Sequence, residues 1–201
     1  MSQVAFVADS HRIDPIACRD EVRAATQLHH ERLHLHSGFA AVKDGTIGLA
    51  SYRALLARLY GFYQPFERAL GEDCTRTQWL GQDLGWLGVD TAALDQIRRC
   101  ADIPCLGSLA RRLGALYMAE GSALGGRQLC RSLDHLLGAA TLDGRRFFAG
   151  RGAETGRVWA NFLTRLAAAG EKPADRAAMV GAATETFEVF EIWLKDWETS
   201  I

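Results

Sequence analysis

The stretch Tyr117-Met118-Ala119-Glu120-Gly121-Ser122-Ala123-Leu124-Gly125-Gly126 sets three glycines within six residues inside an apolar pattern of helical period. Leu109, Leu113 and Leu116 lead into it, and Leu129, Leu133, Leu136 and Leu137 carry the same spacing onward. Each glycine inside a helix costs about 1 kcal/mol relative to alanine, so a purely structural helix would avoid the cluster. Two explanations stand level. One is close helix packing through Gly121 and Gly125, spaced as a small-xxx-small pair. The other is a flat ligand lying against bare backbone, with the helix bent to make room.

The segments on either side are helical too. A helix is expected from about Cys18 to His34, with Val22, Thr26, His30 and Leu33 on one line. Ser51 is a candidate cap for a second helix through Tyr52, Leu55, Leu59, Tyr63 and Phe66, which Pro65 should kink or end. Shorter helices are expected over Thr77–Leu87 and from Asp90 or Thr91 to near Cys100, and Pro104 should begin the glycine-bearing one. Thr141–Glu154 reads as the longest loop, followed by helices over Thr155–Ala169 and Ala174–Trp197. The expectation is an all-α, single-domain bundle of about seven or eight helices over residues 18–201, after an N-terminal extension over 1–17.

A chain of 201 residues is long enough to bury a core without disulfides or a structural metal. Its net charge of −1 shows no excess of cations for nucleic acid or an anionic membrane. No secretory leader or membrane-spanning run is visible, and five scattered cysteines without a C-x-x-C suit free thiols in a reducing cytoplasm. Phosphate-binding glycine loops, the G-x-S-x-G elbow and H-E-x-x-H are all missing.

Four of the six histidines lie in His29-His30-Glu31-Arg32-Leu33-His34-Leu35-His36. A solvated polar face accounts for most of them, because His29 and His30 cannot both face the core. His30 is the exception, being in line with Val22 and Thr26, and a histidine there suits a metal in a buried pocket. Glu31-x-x-His34 matches half of a di-iron carboxylate motif, but neither His11 nor His135 has a glutamate three residues before it. A histidine on one helix facing a glycine-rich stretch on another suggests a planar metal macrocycle held between them, with one protein ligand.

Arg23-Ala24-Ala25-Thr26-Gln27-Leu28-His29-His30-Glu31-Arg32-Leu33-His34, the glycine block and the closing helix with Phe187, Phe190 and Trp193 together resemble the heme oxygenase family, especially its bacterial biliverdin-producing members. The resemblance spans about residues 18–197 and implies heme as both cofactor and substrate. It implies His30, four residues after Thr26, as the iron ligand, and Arg23 and Tyr117 as propionate partners, with Arg165 a further one. Gly126 and Phe187 are implied to contact the cofactor, while Gly121, Ser122 and Gly125 form the oxygen-binding face. Ser122 stands where mammalian-type members carry an aspartate, so ordered water would carry more of the proton relay. The implied reaction uses O2 and electrons from a ferredoxin- or flavoprotein-type reductase, and yields biliverdin, carbon monoxide and ferrous iron. The alternative is a non-catalytic heme carrier or gas sensor on the same fold.

Overall fold

The computed structural model describes residues 15–71, 73–139 and 141–199, so most of the expected N-terminal extension lies outside the described residues. Among them are ten α-helices and no strand: α1 (Pro15–His34), α2 (Ser37–Lys43), α3 (Leu49–Leu70), α4 (Thr75–Trp86), α5 (Thr91–Gln96), α6 (Leu109–Ser132), α7 (Asp134–Leu137), α8 (Arg146–Ala149), α9 (Thr155–Ala169) and α10 (Pro173–Leu194). The count exceeds seven or eight because α7 and α8 are single turns, one of them inside the expected 141–154 loop.

The centre of the bundle is α3, which buries Tyr52, Leu55, Leu56, Leu59, Phe62, Tyr63, Phe66 and Leu70. Such a width of apolar surface exceeds one amphipathic stripe, so the helix is enclosed on several sides. Its N-cap is Gly48 rather than Ser51, and Pro65 does not end it. Proline removes the hydrogen bond to the carbonyl four residues earlier, here Gly61. That carbonyl instead accepts from Cys100 N at 2.9 Å. A Cβ at Gly61 would overlap the Arg98 carbonyl oxygen, so the absence of a side chain lets the segment after α5 lie directly on α3. Pro65 and Gly61 thus form a docking seam within a continuous helix.

Buried carboxylates cap helices across the fold. Glu67 on α3 accepts from Arg76 N and Thr77 N, both at 2.9 Å, in the first turn of α4. Asp83 on α4 accepts from Arg146 N at 2.7 Å and Phe147 N at 2.8 Å, opening α8. Negative charge at a helix N-terminus satisfies orphan amides and meets the favourable end of the dipole. Tyr52 adds an O–H bond to Gly144 O at 2.7 Å, tying the 141–154 loop to the core.

The glycine-bearing helix α6 runs unbroken from its Ser108 cap for 24 residues, so Pro104 does not begin it and the glycines do not interrupt it. Its glycines divide by face. A Cβ at Gly114 would overlap the Met179 carbonyl oxygen of α10, and one at Gly126 would stand 2.5 Å from Phe148 O beside α8. At Gly121 the nearest atom is a Trp159 ring carbon at 3.8 Å, and around Gly125 nothing lies within 4 Å. Close helix packing therefore explains Gly114 and Gly126, and it does not explain Gly121 or Gly125.

Gly114→Ala should force α6 from α10 and cost about 1–3 kcal/mol, whereas Gly125→Ala should be neutral or add up to about 1 kcal/mol through helix propensity. Chemical denaturation of both variants checks the division, and equal losses would refute it. Burial raises the Asp83 carboxyl from its ordinary 3.8 to about 6, against the pull of the Phe147 and Arg146 amides. Between those values the folded chain holds a proton that the unfolded chain has released. Stability should therefore fall as pH rises from 4 to 6, by at most about 3 kcal/mol. Denaturation across that range should show this component missing in Asp83→Asn, and parallel curves would exclude it.

Candidate functional site

Helices α1 and α6 leave a cavity of about 320 Å³ between them, closed by α9 and α10. This is the lower end of the range typical of small-molecule sites, roughly 300–1,000 Å³. Helix α1 lines it with Arg19, Arg23, Thr26 and His30, and α6 with Tyr117, Gly121, Ser122 and Leu124. Trp159 of α9 and Phe187 of α10 supply the apolar wall. An adjoining hollow of about 220 Å³ shares His30 and Ser122 and adds His34, Phe39 and Gly125. The side-chain-free face of α6 thus looks across open space at the histidine helix.

The two adjacent histidines are separated by what they touch. His29 sets Nδ1 3.2 Å from Glu191 Oε2 and stacks its ring on Phe187 at 6.1 Å, both on α10. His30 points the other way and borders both hollows, its ring meeting that of His34 edge-on at 4.4 Å. His30 is exposed rather than enclosed, because the cavity beside it is open. Partial burial, then the nearby His34, still pushes its imidazole below the ordinary 6.5 against the opposing Glu31 charge, which favours the neutral ring that can bind a metal. Glu31 accepts from Gln27 Nε2 at 2.9 Å. Among the described residues no set of three or more His, Cys, Asp or Glu gathers around a site for a bare metal ion.

Arg19 lines the cavity one turn before Arg23 and was not singled out from the sequence. Its signal was present: residues 19, 23, 26 and 30 share one face of α1 through spacings of four, three and four. The Arg19 Nε is buried without a hydrogen-bond partner. Burial raises the Tyr117 hydroxyl above its ordinary value, while Arg19 and Arg23 pull it down. Two guanidinium groups and a phenol at one end of an aromatic-walled cavity match an anionic group on a large apolar ligand.

Ser122 donates its hydrogen to Ala119 O at 2.9 Å and borders three hollows. The third, of about 70 Å³, lies behind α6 and is lined by Tyr63, Arg76, Trp79 and Glu120 among others. The buried Tyr63 hydroxyl reaches Ser122 from there. Arg76 pairs with Glu120 at 2.6 Å and with Glu67 at 3.5 Å. The hollow is mostly apolar, with Arg76, Glu120 and Ser122 among its polar groups.

Two expected contacts fall elsewhere. Gly126 faces Phe148 and the hollow behind α6, because α8 packs where its side chain would be. Arg165 is exposed on α9 and does not line the His30 cavity, since Phe162 and Leu166 take that helix's inward face. All five cysteines are free. No helix among the described residues is long and apolar enough to cross a membrane.

The cavity's residues fit heme: one neutral imidazole, two guanidiniums for propionates, aromatic walls and a helix face stripped of side chains. Comparison with known proteins agrees in fold. A solved structure titled as heme oxygenase from Leptospira interrogans superposes with a TM-score of 0.71 at 14% identity, covering 89% of this chain and 98% of that one. No curated protein matches the chain. The family model for heme oxygenase matches residues 17–196. Spanning nearly the whole sequence, that match places the chain in the heme oxygenase family.

Proposed function

We propose that the protein is an active heme oxygenase that opens its substrate in the α1–α6 cavity. The observation that carries this reading is that His30 and the bare Gly121–Gly125 face of α6 border the same space, with Arg19 and Arg23 at one end. When bound, heme supplies the iron that activates O2 and the ring that is opened to biliverdin, carbon monoxide and ferrous iron.

The chain's own residues do the rest. His30 would offer an imidazole nitrogen to the iron, while His29 lies against Glu191 and Phe187 of α10. Arg19, Arg23 and Tyr117 would hold the propionates, and Phe187 and Trp159 would exclude water from that end of the cavity. Gly121 and Gly125 leave room for a small gas ligand against the helix. Ser122 has its hydrogen on Ala119 O, which leaves its oxygen free to accept from a donor in the cavity. Electrons come from an external ferredoxin- or flavoprotein-type donor. Neither Gly126 nor Arg165 has a role here.

The same commitment of the Ser122 hydrogen favours a second reading, a heme carrier or gas sensor. A hydroxyl that donates to its own helix has no hydrogen left to donate into the cavity. Hemin with reductant in air, with catalase present, separates the two. Loss of the Soret band with growth of biliverdin absorption supports the oxygenase, and a persistent oxy spectrum supports the carrier.

His30→Ala should abolish the axial-ligand signature of the heme spectrum, while His29→Ala should leave it largely intact; the reverse result would shift the ligand by one residue. Arg19→Ala should weaken hemin affinity about tenfold, comparable to one charge-assisted hydrogen bond. Fluorescence-quenching titration reads that change, and an unaltered Kd would remove Arg19 from the propionate site.

A further inference from the structure

A separate concavity of about 490 Å³ lies where the C-terminal end of α10 meets α3 and the segment after α5. It shares no lining residue with the His30 cavity. Its walls carry Arg58, Arg98, Arg99 and Lys195 against only Asp102 and Asp196. None of the four cations has a carboxylate within 4.0 Å among the described residues. Elsewhere Arg76, Arg111 and Arg145 are each paired with one.

Two of the cations are built into the wall. Arg58 donates to the carbonyls of Trp193 and, at 2.5 Å, Lys195, at the end of α10. Its guanidinium lies 4.3 Å from the Trp193 ring centre, and the indole N–H returns a bond to Arg58 O at 2.7 Å. Arg99 donates to Gln64 Oε1 and to the carbonyls of Ile97 and Leu94, and sits over Tyr60 at 4.8 Å. The seam at Gly61 and Pro65 holds the segment that carries Arg98 and Arg99 against α3. Burial, then the Arg98 charge, pushes the Arg58 guanidinium below its ordinary value, so positive charge is held here at a cost.

The other two cations have no polar partner among the described residues. Arg98 is exposed at 5.5 Å from the Trp193 ring, Lys195 is exposed beside it, and neither makes a hydrogen bond among the described residues. Two fixed guanidiniums thus maintain a positive field, and two free side chains stand ready to donate into it. Val189 and the exposed Ile192 give one side an apolar surface.

We propose that this concavity binds a small polyanion bearing phosphate or carboxylate groups, gripped by Arg98 and Lys195 over the field of Arg58 and Arg99. Guanidinium forks match both kinds of oxyanion, and a cleft lined by one sign of charge concentrates the counter-charge. The site is independent of the heme reading and stands if that reading fails.

Isothermal titration of the full chain with pyrophosphate and with citrate, at fixed ionic strength in chloride, tests it. Saturable binding of at least one probe is expected, weakened at least about tenfold in the Arg98→Ala, Lys195→Ala double variant. The thermal midpoint without probe and the affinity for hemin should both be unchanged in that variant. Arg98→Gln, which keeps a side chain over Trp193 and removes the charge, should also weaken binding. No saturable binding of either probe up to about 10 mM, or equal affinity in wild type and variants, overturns the proposal.

Discussion

The site depends on the contact between α6 and α10 at Gly114, where the Met179 carbonyl occupies the space of a missing side chain. Interiors are packed like crystals, so a backbone contact of this closeness permits little sliding. It sets the position of α10 relative to the glycine face of α6. Helix α10 in turn lies against His29 through Phe187 and Glu191, while His30 at the next position borders the cavity. A packing glycine on α6 thereby places the wall against which the histidine helix rests.

Much of this was legible in the sequence. Apolar period puts His30, and not His29, on the line of Val22 and Thr26, and His30 does border the cavity, although it is His29 that packs against α10 and His30 that stays exposed. The glycine cluster announces a helix with an unusual neighbour. The pattern does not tell which glycine faces what, since α6 is surrounded and its residues alternate between a cavity, α8 and α10. The resemblance implies Gly126 as a cofactor contact, whereas α8 packs against it. Arg165 is likewise a cation of suitable type on the outward face of its helix. Arg19 shares the helix face of Arg23 and His30 in sequence, and the structure adds that its Nε is buried without a partner.

The polar groups behind α6 illustrate a different limit. Glu67, Arg76 and Glu120 come from three helices and meet in the interior. A buried ion pair contributes little net stability against hydrophobic replacements, yet removing one partner costs about 3–5 kcal/mol. In sequence these residues look like ordinary surface charges, and Glu67 and Asp83 look nothing like caps because the helices they cap lie elsewhere in the chain.

Pro65 gives the central helix an incomplete ladder of hydrogen bonds, and the missing partner for Gly61 arrives from Cys100. The integrity of α3 is therefore not a local property. During synthesis the helix emerges with an open carbonyl in its middle, and the amide that closes it is made 39 residues later than Gly61. Domains complete their cooperative units only when the contributing segments are present. The middle of the core thus matures after the ribosome has passed the α5 segment, so the nascent chain keeps a point of flexure in its central helix until about half of the chain is made.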